Sequence, residues 1–171
     1  MPVANDDFRK ALGRLAAGVC IISTALEGQR RGVTATAVCS VSASPPTVLV
    51  CINTSTGTCK MIQGSGRFAV NLLSEEHRSV ADVFAGRNGL QGDDRFAHGD
   101  WEQGQQLGMP VLTAAPSALE CRVDQVIAAG THAVFLGIVE GAYFADNSSL
   151  VYHEGAFHVI PPSERCLKLA S

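Results

Sequence analysis

Apolar positions near the start of the chain recur at helical spacing and then give way to short unbroken runs. Phe8, Leu12 and Leu15 fall at i, i+4 and i+7 while Arg9, Lys10 and Arg14 lie elsewhere. That pattern predicts an amphipathic helix capped by Asn5, Asp6 and Asp7, reaching about Ala17 and stopped by Gly18. Val19 to Thr24 then reads as a strand, the polar stretch Glu27 to Arg31 as a turn, and the segment from Gly32 as a second strand closing a hairpin. Thr47 to Ile52 and Phe68 to Leu73 read as further strands with a short helix near Thr58 to Gln63 between them, and His77 to Ala85 as a third helix. Gly64-Ser65-Gly66 fits a helix-to-strand turn.

The polar, glycine-rich stretch from Gly86 to Gly108, with Asp93, Asp94, Arg95 and Trp101, is expected to be a long functional loop or lid. Three strand-like runs follow, Leu119 to Ala128, His132 to Val139 and Leu150 to His158, separated by turns at Gly130-Thr131 and Ala145-Asp146-Asn147. Strands at this spacing with only short helices predict a mainly β chain, a closed or split antiparallel β-barrel. Length favours one domain over residues 1–171, its core spanning about 8–160 and a short tail following from 161.

Composition narrows the function. Aromatic residues are 6% of the chain, so aliphatic side chains must build the core, and charged residues are only 17%, which points to surface hidden in a homo-oligomer. A formal charge of −3 without a Lys/Arg block excludes the basic stripe that nucleic acid demands. The amino terminus lacks a secretory pattern, and the charge-free run from Gly32 to Cys59 is broken by Pro45, Pro46 and many hydroxyls, which argues against a membrane span and for a cytoplasmic protein. Cys20, Cys39, Cys51, Cys59, Cys121 and Cys166 form no C-x-x-C pair and read as reduced thiols. His153 and His158 miss the H-E-x-x-H spacing by one and would face opposite sides of a single strand, so no metal site is expected.

Two segments carry candidate chemistry. From Gly32 to Pro46 hydroxyls alternate with small apolar residues, so a planar ring can approach the backbone, with Ser40 and Ser42 as neutral donors; a buried Thr/Ser-rich strand is the alternative. Asn53-Thr54-Ser55-Thr56-Gly57-Thr58 leads into Cys59, Lys60, Met61 and Ile62 in helical register. A helix N-terminus of that kind suits a phosphate, aided by Lys60 or Arg67; capping by Thr56 or Thr58 alone is the alternative. No G-x-G-x-x-G follows a strand and no Ser/His/Asp or Cys/His arrangement is local in sequence.

Gly32-Val-Thr-Ala-Thr-Ala-Val-Cys-Ser-Val-Ser42, Pro45-Pro-Thr-Val-Leu-Val-Cys-Ile-Asn53 and Gly66-Arg-Phe-Ala-Val-Asn-Leu-Leu73 together resemble the short-chain flavin reductases. Arg95-Phe96, Trp101, Pro110-Val-Leu112, Leu119-Glu-Cys121, Gly130-Thr-His132 and Leu150-Val-Tyr-His-Glu-Gly-Ala-Phe157 extend the resemblance from about Phe8 to Phe157. The chain is similar to reductase components of two-component monooxygenases, such as the 4-hydroxyphenylacetate 3-monooxygenase reductases, and to pyrimidine-pathway flavin reductases. The resemblance implies a split-barrel FMN-binding fold, usually a homodimer, in which NADH or NADPH reduces FMN or FAD and the reduced flavin diffuses to a monooxygenase. It further implies that Thr34, Ala35, Thr36, Ala37, Val38, Cys39 and Ser40 line the isoalloxazine and ribityl chain, with Ser42 and Asn53 alongside. By the same resemblance Ser55, Thr56 and Thr58 serve the phosphate with Lys60, Asn71 lies nearby, and His132 faces the nicotinamide with Tyr152, His153 and Phe157 around the same mouth. Many relatives have a basic residue where Gly57 stands, which leaves phosphate neutralisation to Lys60, Arg67 or a second subunit. Two other readings remain open: a protein that holds FMN tightly and reduces its own substrate, and a non-catalytic flavin- or haem-binding split-barrel module.

Overall fold

Twelve strands and three α-helices make up a computed structural model that describes residues 1–162; Cys166 and the expected tail from residue 163 lie outside the described residues. In order they are α1 (Asn5–Gly13), β1 (Ala17–Gly18), β2 (Cys20–Leu26), β3 (Gln29–Ala35), β4 (Val38–Ala43), β5 (Pro46–Asn53), α2 (Gly57–Ser65) and β6 (Arg67–Leu72). There follow α3 (Arg78–Phe84), β7 (Trp101–Gln103), β8 (Pro110–Leu112), β9 (Ser117–Ala129), β10 (His132–Phe144), β11 (Ser149–His153) and β12 (Ala156–Ile160). Single 3-10 turns lie at Glu75–His77 and Gly92–Ala97.

Seven strands form one sheet in the order β3-β2-β6-β9-β10-β5-β4, with small sheets β1-β11-β12 and β7-β8 beside it. Every pairing is antiparallel. β3 and β4 follow each other in the chain yet occupy the two edges of the large sheet, so the barrel is split between them, as the mainly β split-barrel expectation requires. β2 is buried on both faces: Cys20 and Ile22 join a core with Val50, Ile52, Ile62, Phe68 and Phe135, while Ile21 and the preceding Val19 join a second core with Leu73, Phe84, Leu112 and Leu150. That double burial explains why the strand reads as an unbroken apolar run. Each fully buried Phe or Ile contributes about 1.5–3 kcal/mol of transfer free energy.

Four sequence expectations are corrected. α1 ends at Gly13, not near Ala17, because the Gly13 carbonyl is taken by the Glu154 amide at 2.8 Å. Its cap position is Ala4, with Asp6 and Asp7 inside the first turn beside the positive end of the dipole. No residue of α1 is buried, and Phe8, Leu12 and Leu15 are 53%, 52% and 65% exposed. The segment from Gly32 is two strands with a break at Thr36-Ala37, and Leu150 to His158 is a hairpin broken at Glu154-Gly155, whose positive φ values of 48° and 85° form a two-residue turn. The stretch from Gly86 to Gly108 is pinned to the sheet over part of its length and contains β7.

Buried polar groups hold the small sheet β7-β8 in place. Asn71 has no exposed surface; its Nδ2 donates to the Ile21 carbonyl and Ser23 Oγ at 3.2 and 2.9 Å, and its Oδ1 accepts from the Leu112 amide at 2.8 Å. Glu120, also fully buried, accepts from the Gln106, Leu107 and Met109 amides at 2.9, 3.0 and 3.0 Å and from Tyr143 Oη at 2.6 Å. Burial alone would raise its pKa, but these hydrogen bonds outweigh that and hold the carboxyl below the usual glutamate range.

Glu120→Gln replaces an acceptor by an NH2 group that faces donors, and is expected to cost about 2–3 kcal/mol in urea denaturation at pH 7. Because the folded-state pKa is depressed, the native carboxylate's contribution is present above the unfolded value of about 4.3 and disappears as pH falls through the lower folded value. The difference in urea midpoint between the two proteins therefore narrows toward pH 3; a gap constant with pH would contradict the assignment.

Candidate functional site

An edge strand exposes alternate backbone N–H and C=O groups that need partners. Side chains, not another strand, cover part of this need on β3. Asp93 accepts from the Arg30 amide at 3.2 Å and Arg95 Nη1 donates to the Gly32 carbonyl at 3.4 Å, while the strand's own Thr34 Oγ1 donates outward to the Ala81 carbonyl of α3 at 2.7 Å. Gly32 permits the close approach of α3, since a Cβ there would stand 2.5 Å from Phe84 Cε1. The Gly92–Ala97 turn is strapped down by Arg30, whose Nε and Nη2 donate to Asp93 at 2.8 and 3.0 Å and whose guanidinium lies 4.6 Å from the Phe96 ring centre. Phe84, Phe96 and Trp101 pack together beneath it with ring centres 4.8–5.4 Å apart.

Between this wall and the start of α2 lies a cleft of about 740 Å³, lined by Arg31, Gly32, Val33, Thr56, Gly57, Thr58 and residues 91–95. Its size falls within the roughly 300–1,000 Å³ of typical ligand sites. Further along β3 a smaller hollow of about 170 Å³ is lined by Thr34, Ala35, Thr36, Arg87, Tyr152 and Phe157 among others. Tyr152 and Phe157 meet edge to face at 5.4 Å. The two hollows flank one strand, Gly32 to Ala35 passing from one to the other.

The expected site residues divide accordingly. Thr56 and Thr58 come together in the large cleft, and Thr34, Ala35, Thr36, Tyr152 and Phe157 in the small one. Ala37 to Ser40 and Ser42 run onto β4 at the other sheet edge: Cys39 and Ser40 are exposed, Val38 packs against the core, and Ser42 Oγ accepts from the Ser44 amide at 3.1 Å. His132 opens β10 opposite Asn53, exposed, with Nδ1 2.9 Å from Thr131 Oγ1. Lys60 does not line the cleft, and Arg67 Nη1 lies 3.5 Å from the Leu107 carbonyl. Asn71 is sealed in the core with its amide engaged, so it is a structural residue and no ligand group. His153 is on the opposite face of β11 from Tyr152, by the two-residue period of a strand, and its ring is 5.9 Å from His158 across the hairpin, not on the far side of one strand as the sequence pattern implied.

The hydroxyl density before α2 serves the turn. Thr54 Oγ1 donates to the Thr131 carbonyl at 3.1 Å, Ser55 Oγ to Asn53 Oδ1 at 2.8 Å, and Thr56 Oγ1 to the Asn53 carbonyl at 2.8 Å. Thr56 also caps α2, accepting from the Cys59 amide at 3.1 Å. What faces an anion is then the pair of N–H groups at Gly57 and Thr58, which have no intrahelical acceptor, together with nearby cations. Arg31 is the cleft residue that sequence reasoning passed over: it sat in a turn by composition, and only strand alternation after Glu27-Gly28 separates it from Arg30. Burial pushes the Cys20 and Cys121 thiols up to about 12, so neither of these two is a nucleophile.

An open antiparallel barrel whose edge strand is bonded by side chains to the 92–97 turn and to α3, with the start of α2 across from it, defines a split-barrel domain with a ligand cleft along that edge. Residues 12–161 match the flavin reductase like domain, and the chain belongs to that family. It is 40% identical over 154 residues to the 4-hydroxyphenylacetate 3-monooxygenase reductase component of Salmonella typhimurium, with 90% of each chain covered. It is 41% identical over 160 residues to the FMN reductase (NADH) RutF of Pseudomonas syringae, covering 93% of this chain and 88% of that one. The NADH:FAD oxidoreductase SgcE6 of Streptomyces globisporus, solved in complex with NAD and FAD fragments, superposes with a TM-score of 0.84 at 28% identity, covering 96% of this chain and 99% of that one.

The Arg30 hydrogen bonds hold the Asp93 carboxyl below its usual range. Asp93→Ala is expected to change global stability by about 1 kcal/mol or less, because the pair is half exposed. Amide hydrogen exchange across residues 92–97 is expected to accelerate about tenfold, the loss of the backbone contact and the strap together. Unaltered exchange there would show that Phe96 packing alone holds the wall.

Proposed function

We propose that the chain is an NAD(P)H-dependent flavin reductase that reduces FMN or FAD and releases the reduced flavin for a partner monooxygenase. The observation that carries this is the continuous ligand edge of β3, with a helix N-terminus and cations at one end and the aromatic pair Tyr152/Phe157 at the other, in a chain of the flavin reductase like family. The residues present fit such a ligand: Gly32 to Thr36 offers small side chains and backbone polar groups to a flat ring, and the Gly57 and Thr58 N–H groups suit a phosphate. A bound flavin accepts hydride from a reduced nicotinamide when the two rings stack at about 3–3.5 Å.

The protein's work is positioning. Backbone donors of the β3 edge orient the ring, and the Tyr152/Phe157 pair walls off water beside it. His132, exposed at the mouth of β10 and steadied by Thr131, orients the carboxamide of the nicotinamide. The strand segment from Gly32 to Asn53 carries no carboxylate of its own, and of the two carboxylates that reach the cleft from the facing turn, Asp93 and Asp94, the first is paired with Arg30. Neutral donors also keep affinity modest, which suits a product that must leave.

The active form is proposed to be a cytoplasmic homodimer. Support comes from the uncovered apolar side chains of α1 and from Val41, Val126, Ile127 and Ile160, each 45% exposed or more, on a chain with few charges to cover them. Among the described residues no helix is long and apolar enough to cross a membrane.

Steady-state oxidation of NADH and NADPH with FMN, FAD and riboflavin tests the reading: saturable turnover with added flavin supports it, and no flavin-dependent oxidation of either nucleotide rejects it. In the same assay His132→Ala is expected to lower kcat/KM for the nicotinamide about tenfold, the worth of one lost hydrogen bond, with flavin affinity held within about twofold. Unchanged kinetics would remove His132 from the site.

A further inference from the structure

The turn that leads into α2 contains no cation, and its hydroxyl protons are spent on Asn53 and Thr131. β3 brings the guanidinium of Arg31 to this end of the cleft, and the facing turn brings Asp93, Asp94 and Arg95. A Cβ placed on Gly57 would lie 3.6 Å from Arg31 Nε, and one on Gly92 would lie 2.9 Å from Arg31 Nη1. The Arg31 side chain therefore runs between two glycines, one on each wall, and a larger residue at Gly92 would displace it.

The other cations nearby are committed. Arg30 is paired with Asp93, and Arg95 donates to the Leu90, Gly32 and Phe84 carbonyls. Arg31 makes one short bond, from Nη1 to the Arg30 carbonyl at 2.9 Å, and one long contact, from Nη2 to Gln29 Oε1 at 3.5 Å. Among the described residues it has no carboxylate within 4 Å: the Asp93 oxygens are bonded to Arg30, and Arg31 acts on that carboxyl only at longer range. A guanidinium with donors to spare, half-buried beside the free Gly57 and Thr58 N–H groups, matches a phosphate in both charge and fork geometry.

We propose that Arg31 is the phosphate-recognition residue, reaching from the neighbouring strand to the place that Gly57 leaves open, and that it makes the protein select flavin nucleotides over riboflavin. The assignment rests on the flavin reductase reading. It replaces Lys60 and Arg67, neither of which lines the cleft. Gly57 is not at a positive φ, so a side chain is sterically allowed there.

Equilibrium titration by flavin fluorescence, with FMN, FAD and riboflavin at two salt concentrations, tests this on the full chain. The expected result for Arg31→Met is a loss of FMN affinity of about thirtyfold, so that the FMN-to-riboflavin ratio falls toward one and the salt dependence of FMN binding weakens. Arg31→Lys is expected to retain an intermediate ratio. Arg31→Met combined with Gly57→Lys, which returns a cation from the turn, is expected to recover part of it. Melting curves confirm that each variant is folded, and Arg31→Gln reads the same ratio where Arg31→Met is not. Equal loss of FMN and riboflavin affinity, or no change in the ratio, overturns the assignment. If the unaltered protein binds none of the three flavins, the flavin reading falls, and the assignment with it; selectivity that survives loss of Arg31 overturns the assignment alone.

Discussion

Unpaired backbone at a sheet edge is the constraint around which this molecule is organised. Placing β3 and β4 at opposite edges of a seven-stranded sheet leaves two rows of donors and acceptors that no strand satisfies. On β3 part of the need is met by side chains, since Asp93 accepts from the Arg30 amide and Arg95 donates to the Gly32 carbonyl, which fixes the turn at residues 92–97; the Thr34 hydroxyl in turn donates to the Ala81 carbonyl and fixes α3 at the flank. The cleft follows from that arrangement. Where the covering side chains stop, small residues and backbone polar groups remain for a ligand.

Charge is distributed in two different ways around the same sheet. Glu120 is buried and given four donors, so it acts as a fixed anchor for the loop between β7 and β8, close in cost to an ordinary satisfied hydrogen-bond network. Arg31 is left half-buried with donors unspent, which wastes binding capacity unless an anion arrives. The first arrangement stabilises the fold and the second is poised for recognition. Between them, Arg30 and Asp93 form an exposed pair whose contribution is to hold a wall in place and not to add much stability.

Much of the fold could be read from the chain because burial imposes its period on the side chains. The run Val19 to Ile22 is apolar throughout since β2 touches two cores, and Thr56 stands where a cap is needed. The errors have equally local causes. α1 has the right periodicity but no surface to lie on within one chain, and the Gly13 carbonyl finds a partner in the β11-β12 turn before the helix can extend. The family resemblance alone places Asn71 near the ligand; its burial and hydrogen bonds make it a strut between β2, β6 and β8. His153 lay next to Tyr152 in sequence and therefore on the other face of the strand.

What the order of residues determined by itself was the three helices, most of the longer strands, the mainly β class and the family motif along Gly32 to Ser42, since these depend on neighbours a few positions apart; the short strands β1, β7 and β8 did not show in it. The cleft needed the folded chain. Arg31 and Gly57 are far apart in sequence and become partners only because β3 packs alongside the start of α2, and Arg95 reaches Gly32 only because the 92–97 turn folds back over the strand. Distances between elements are set by how the cores pack and where the sheet is left open, and no local pattern of side chains encodes them.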